Sequence, residues 1–207
     1  MRQEIINLYT ASELADEHPG AFSKARESFR ESFAQDSFCT DCTDGFEQIA
    51  HHMGININRG EIYFDTYRGH VGFGGDYEHR PTMLKDLPVD HELQRIAQLL
   101  LAAQAKMPQP SLVATMHLSY RGKMTVDVYD TLNVCGEEYL DALAMATDDI
   151  QEAIDDLCHW LLCRLREEEE WVSSEDYFID AAQANGWLFT ESGEIVAINE
   201  WQLDNAA

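Results

Sequence analysis

The chain has 207 residues, with 38 Asp and Glu against 14 Lys and Arg, so its formal net charge is −24 at pH 7. This charge argues against direct binding to nucleic acid or to an anionic membrane, and it favours a basic protein as partner. The apolar fraction of 45% is ordinary for a folded protein, and the length predicts a single acidic α+β domain over residues 1–207.

Cysteine usage and hydropathy bear on the compartment. Five cysteines are an odd number in a chain too long for a small disulfide scaffold, which favours a reducing cytoplasm. The N-terminus has no apolar signal region, and no stretch approaches 18 consecutive apolar residues. We therefore expect neither secretion nor membrane spanning.

The N-terminal third predicts a strand and two helices. Residues Glu4 to Tyr9 form the strand, and a polar segment leads from it to a helix from about Ala21 to Ala34. The second helix starts at a cap supplied by Asp41 or Thr43 and stops at Gly54. Helical spacing puts these residues on the inner faces: Phe22, Ala25, Phe29, Phe33, Phe46, Ile49, Ala50 and Met53.

The middle of the chain predicts a hairpin and a third helix. Two β-rich runs between Glu61 and Glu78 are separated by Gly69-His70, where the backbone bends. Pro81 and Pro88 then enclose a short loop, and the helix that follows ends before Pro108. The inner face of this helix carries Leu93, Ile96, Ala97, Leu100 and Leu101.

The C-terminal half predicts two more hairpins and two more helices. The first of these hairpins turns at Arg121-Gly122, which indicates an antiparallel sheet of at least four strands. Helices follow from about Asp141 to Trp171 and from Ser174 to Asn185, and a last hairpin turns at Ser192-Gly193. The predicted fold class is α+β, an antiparallel sheet of two or more hairpins packed against several helices, with a long acidic C-terminal helix. The inward stripe of that long helix is Ile150, Ile154, Leu157, Leu161 and Leu165.

The segment LCRLREEEEWVSSEDYFIDAAQANGWLFTESGEI resembles the C-terminal signature of a large group of phage and prophage proteins of unknown function. KARESFRE, FEQIAHHMGI, EIYFDTYRGHVGFGGDY and RGKMTVDVY are similar to the group's helix, helix, glycine-rich hairpin and second hairpin, in the same order. The resemblance covers most of the chain and implies a phage or mobile-element origin. Some members are labelled antitoxins, and no catalytic residues carry over. This hairpin departs from the group's Ser-Gln-Gly-Asp-Gly stretch, because it has Arg68-Gly69-His70-Val71-Gly72 there.

Acidic side chains are densest between Glu137 and Asp180, where only Arg164 and Arg166 oppose them. On the long helix several carboxylates recur at i, i+4, i+7 and i+8 from Asp148, opposite the apolar stripe, which predicts a solvent-facing row about 6 Å apart along the axis. The predicted partner-binding residues are Asp148, Asp149, Glu152, Asp155, Asp156, Glu167, Glu168, Glu169, Glu170, Glu175 and Asp176.

This row predicts a nucleic-acid mimic. Duplex DNA carries about one negative charge per 1.7 Å of axis, so a second row or a symmetric homodimer would have to supplement one helix. The function we predict is a non-enzymatic phage or mobile-element protein that inhibits a host nucleic-acid-binding system, of CRISPR–Cas or restriction type, in the host cytoplasm. An antitoxin that occludes a toxin is the first alternative. The acidic run could also be no more than a solvated helix face. The total charge could reflect a salt-rich habitat, with which the count of only four Lys among the 14 cations is compatible.

A possible zinc set leaves a third functional alternative, a small metal-dependent enzyme. Cys39 and Cys42, followed by His51 and His52, are the residue types of a Cys₂His₂ site. The two histidines point to different sides of a helix, which weakens the case. We predict no metal and no cofactor.

Two features of the first hairpin also bear on an enzyme. The glycines from Gly69 to Gly75 lack the following helix and the Lys-Ser/Thr of a phosphate loop, which favours tight hairpin geometry. His70, Asp76 and His79 could act as an acid–base cluster, but no nucleophile accompanies them. These residues therefore support an enzyme only weakly.

Overall fold

The computed structural model describes residues 7–31, 35–107, 112–118, 124–130 and 136–197. The fold is α+β, as predicted, with helices, a four-stranded antiparallel sheet and a separate two-stranded hairpin. The chain divides into two compact units, Met1–Cys39 with Glu167–Ala207, and Thr40–Arg166. The single domain expected from the chain length stays a prediction. No helix in the described ranges is both long and apolar enough to cross a membrane.

Groups of helices and of strands alternate along the chain. The helices are α1 (Ala11–Glu17), α2 (Pro19–Phe29), α3 (Gln35–His52), α4 (Met83–Asp86), α5 (His91–Ala105), α6 (Glu137–Val172) and α7 (Glu175–Ala184). The strands are β1 (Ile55–Asp65), β2 (His70–Glu78), β3 (Leu112–Leu118), β4 (Met124–Asp130), β5 (Trp187–Phe189) and β6 (Ile195–Ala197).

The first unit, Met1–Cys39 with Glu167–Ala207, has an aromatic core. The ring of Phe178 from α7 lies 5.4 Å from the rings of both Phe22 and Phe29 on α2, and 5.7 Å from Phe189 on β5. Edge and tilted ring contacts at such distances stabilise the fold beyond what the burial of apolar area contributes. The predicted burial of Phe22 and Phe29 is therefore confirmed, whereas Phe33 and most of the predicted opening strand lie outside the described residues.

Helix α1 was not predicted, although its signal is in the sequence. Thr10 is its N-cap, and the Thr10 hydroxyl accepts a hydrogen bond from the Glu13 backbone N–H. The Glu13 carboxylate accepts in turn from the Thr10 backbone N–H at 2.8 Å, and this bond lowers the Glu13 pKa. Together these bonds make a capping box, which satisfies backbone donors that have no partner inside the helix.

Helices α3 and α4 also differ from the prediction. α3 begins at Gln35, before the predicted caps Asp41 and Thr43, and the Thr43 hydroxyl bonds back to the Thr40 carbonyl inside the helix. The four residues of α4 form a turn of helix in the loop predicted between Pro81 and Pro88. The predicted stop at Gly54 is confirmed, because its φ of 83° is a left-handed conformation that favours glycine.

The second unit, Thr40–Arg166, contains the four-stranded sheet in the order β1-β2-β3-β4, antiparallel throughout. The hairpin predicted at Gly69 is confirmed, with Gly69 at a φ of 73°. β1 begins at Ile55, before the predicted run, and its register shifts between Ile57 and Ile62. The turn predicted at Arg121-Gly122 lies outside the described residues, but the β3–β4 pairing on either side of it is present.

Three helices of this unit contact the sheet. The Phe46 ring of α3 lies 5.5 Å from Phe73 of β2, and the Gln104 amide of α5 lies 3.4 Å from the Tyr77 hydroxyl. Burial raises the pKa of Tyr77 to about 12. α6 reaches β4 through a Gln151 amide bond to the Met124 carbonyl. The predicted inward stripe of α6 is confirmed, since all five of its residues are buried.

Candidate protein-binding surface of helix α6

Two of the predicted binding residues on α6 face helix α5. Asp149 forms an ion pair with Lys106 at 2.6 Å, and Asp156 forms one with Arg95 at 2.8 Å. The spacing of Asp156 placed it in the solvent-facing row, but Arg95 draws its carboxylate to the α5 side of the helix. Asp149 and Asp156 therefore stabilise helix packing within the unit.

The solvent side of α6 carries Asp148, Glu152 and Asp155, which are all exposed. They stand at i, i+4 and i+7, so their Cα atoms are about 6 and 4.5 Å apart along the helix axis. The Asp155 carboxylate accepts a hydrogen bond from Gln151 at 3.0 Å. Within the described residues, Asp148 and Glu152 take part in no ion pair. We call these three residues the α6 row.

The other predicted binding residues lie in the first unit. Glu167, Glu169, Glu170 and Asp176 are exposed and Glu168 is half-buried. Glu175 forms an ion pair with Arg26 of α2 at 2.6 Å. Trp171 is 46% exposed beside these glutamates, and its ring lies 5.9 Å from Tyr177. An exposed ring beside carboxylates is suited to a protein interface.

Asp90 is a structural carboxylate that the sequence analysis missed. It caps α5 by accepting from the backbone N–H groups of Glu92 and Leu93, at 2.9 and 3.1 Å. Its other oxygen accepts from the Trp160 indole and the Arg164 guanidinium of α6, at 3.2 and 3.1 Å. Burial alone would raise the Asp90 pKa, but these hydrogen bonds together outweigh it and hold the pKa below its ordinary value.

The residues considered as a zinc set differ in how deeply they are buried. Cys42 is half-buried, and His51 and His52 are exposed at the end of α3, while the Cys39 side chain lies outside what the structure describes. His51 Nδ1 lies 3.2 Å from the Asn56 amide oxygen, beside an open pocket of about 410 Å³. No group of three or more His, Cys, Asp or Glu side chains among the described residues is arranged to hold a metal ion.

The glycine-rich hairpin belongs to the sheet. Gly72 and Gly75 pair with Tyr63 and Ile57 of β1, so the segment is strand rather than phosphate loop. A Cβ on Gly75 would collide with the Asn56 carbonyl, so close strand packing requires glycine there.

The three residues considered as an acid–base cluster are not assembled. His70 and Asp76 are six residues apart along β2, or about 20 Å in an extended strand. His79 lies beyond the end of β2, and its Nδ1 is buried without a hydrogen-bond partner in the described structure. Burial lowers its pKa. β2 therefore keeps His70 away from the other two residues.

No family model, curated protein or solved structure matches this chain.

Proposed function

We propose that this protein binds the basic surface of a nucleic-acid-binding protein and occupies it in place of nucleic acid. The observation that carries the proposal is the α6 row, in which Asp148, Glu152 and Asp155 stand exposed on one side of a single helix. The net charge of −24 adds a long-range attraction to any basic partner.

The packing of α6 makes the row a preorganised surface. The apolar stripe on the opposite side of the helix is buried, and the ion pairs of Asp149 and Asp156 fix α6 against α5. Binding of a partner to the row therefore costs little ordering of the backbone, and Lys and Arg side chains that normally contact phosphates find carboxylates instead.

One row is sparser than the phosphates of a duplex, since its steps of about 6 and 4.5 Å exceed about 1.7 Å per charge. The proposal therefore includes a second acidic contribution, from a second subunit. The resemblance to phage proteins favours a host defence system, of CRISPR–Cas or restriction type, as the target in the host cytoplasm.

The test compares two triple variants with the same change in charge. Asp148→Asn, Glu152→Gln and Asp155→Asn neutralise the row, whereas Asp16→Asn, Glu191→Gln and Glu194→Gln neutralise exposed carboxylates elsewhere. Tagged proteins are used to capture partners from host lysate at about 0.1 M and about 0.5 M salt, where screening differs strongly.

We expect the unsubstituted chain and the control to capture a nucleic-acid-binding protein at the lower salt, and duplex DNA to displace it. The row variant should lose it. Equal capture by the row variant would refute the mimic mechanism at α6. Capture of a small toxin that DNA does not displace would favour the antitoxin alternative instead.

A further inference from the structure

The four-stranded sheet has a second face, opposite its contacts with α3, α5 and α6. Side chains alternate between faces along a strand. Phe73 and Tyr77 of β2 point towards the helices. Asp76 precedes Tyr77 in the strand, so its side chain points to the opposite face of the sheet. The register places Asn56, Asp76, Thr115 and Asp127 side by side in one row across all four strands. We call the face of the sheet that carries this row the outer face.

The outer face carries four exposed carboxylates, those of Glu61, Asp76, Glu78 and Asp127. The Glu61 carboxylate lies over the backbone of Gly74 and accepts from the Asn58 amide at 2.8 Å. Asp76 accepts from the Thr115 hydroxyl at 3.2 Å. Within the described ranges none of the four forms an ion pair, in contrast to Asp149 and Asp156 on α6.

Two exposed tyrosines accompany these carboxylates. Tyr63 on β1 is 47% exposed and Tyr129 on β4 is 48% exposed, and both belong to the outer face by their alternation. Tyr63 pairs with Gly72 of β2, and Tyr129 pairs with Val113, which in turn pairs with Glu78, so the two tyrosines stand six residues apart along β2, or about 20 Å. The outer face therefore carries an aromatic ring on each edge strand together with the carboxylates.

We propose that the outer face binds an arginine-rich segment of a partner protein. Carboxylates pair with the planar guanidinium through two parallel hydrogen bonds, and tyrosine rings stack on it, whereas Lys offers a compact ammonium that does neither as well. Repulsion between like charges disfavours a second copy of this chain and nucleic acid as occupants. This surface is separate from the α6 row, and the proposal does not depend on the function proposed for that row.

The experiment measures binding of fluorescein-labelled nona-arginine and nona-lysine peptides by fluorescence anisotropy at about 0.15 M salt. Asp76→Asn with Asp127→Asn removes two outer-face charges, and Asp148→Asn with Glu152→Gln removes two from α6 as the matched control. We expect the outer-face pair to weaken nona-arginine binding about tenfold and the control to weaken it less than about twofold.

A second pair of variants tests the rings without changing charge. Tyr63→Leu with Tyr129→Leu should abolish the preference for nona-arginine over nona-lysine, and Tyr63→Phe with Tyr129→Phe should preserve it, because Phe still stacks on guanidinium. Circular dichroism and thermal melting check that each variant is folded. Equal weakening by the outer-face and α6 pairs, or equal affinity of the unsubstituted chain for the two peptides, would overturn the proposal while leaving the capture result at the α6 row unaffected.

Discussion

The two sides of α6 carry the same kind of residue in different roles. On the α5 side, Asp149 and Asp156 are half-buried and pair with Lys106 and Arg95. On the solvent side, Asp148 and Glu152 are exposed and, in the described structure, have no ion pair. The first two carboxylates contribute to the stability of the fold, whereas the other two add like-charge repulsion and are free to meet a partner.

This difference shows that acid density along the chain does not identify a binding surface. Asp149, Asp156 and Glu175, all predicted to bind a partner, are in intramolecular ion pairs. Four exposed carboxylates on the sheet, which are scattered along the sequence, meet on one face and are in none within the described ranges. Neutralising charges on each side should separate structural from binding carboxylates.

The largest effect on stability is expected at Asp90, the structural carboxylate between α5 and α6. Asp90→Ala removes a helix cap and the carboxylate that accepts hydrogen bonds from the Trp160 indole and the Arg164 guanidinium. We expect the free energy of unfolding to fall by about 2–3 kcal/mol, measured by urea denaturation. A loss below about 0.5 kcal/mol would contradict the structural role.

The hydrogen bonds of Asp90 also make the stability of the fold depend on pH. The Asp90 pKa is lower in the folded chain than its unfolded value near 3.8. The contribution of the Asp90 charge to folding stability is therefore complete above pH 3.8, and it is lost as the pH falls through the pKa of the folded state. Asp90→Asn keeps a capping side chain but has no charge. The difference in unfolding free energy between the unsubstituted chain and Asp90→Asn should be constant from pH 7 to about 5 and shrink below about 4.

A smaller effect on stability is expected from the ion pair on the α5 side of α6. Lys106→Met removes the partner of Asp149, and both side chains of this pair are partly shielded from solvent, at 30% and 21% exposure. We expect a loss of about 1 kcal/mol in unfolding free energy. A double-mutant cycle with Asp149→Asn isolates the pair, and a coupling energy near zero would show that the two charges do not interact.

The smallest effect, of opposite sign, is expected on the solvent side. Asp148→Asn with Glu152→Gln relieves a like-charge pair at i,i+4, so the unfolding free energy should rise by about 0.2–0.5 kcal/mol and the gain should shrink in high salt. Thermal melting at two salt concentrations measures it. A clear destabilisation would mean that these carboxylates support the fold.

Much of the fold follows from local patterns in the sequence. The helical spacing of Ile150, Ile154 and Leu157 predicts the buried side of α6, and Gly69 marks the first hairpin. These signals are local, because helical and strand periods repeat within a few residues and a left-handed turn favours glycine. Even α1 had a local signal, the Thr10 and Glu13 capping box, which the sequence analysis passed over.

The sites depend on contacts between distant parts of the chain. The α+β class, the buried helix faces, the first hairpin and the total charge can all be predicted from the amino-acid sequence. The contacts of Lys106 with Asp149 and of Asp90 with Arg164, and the shared face of Asp76 and Asp127, are visible only in the folded chain. An ion pair depends on how helices pack and a shared face depends on the register of strands, and both are long-range contacts that no local period encodes.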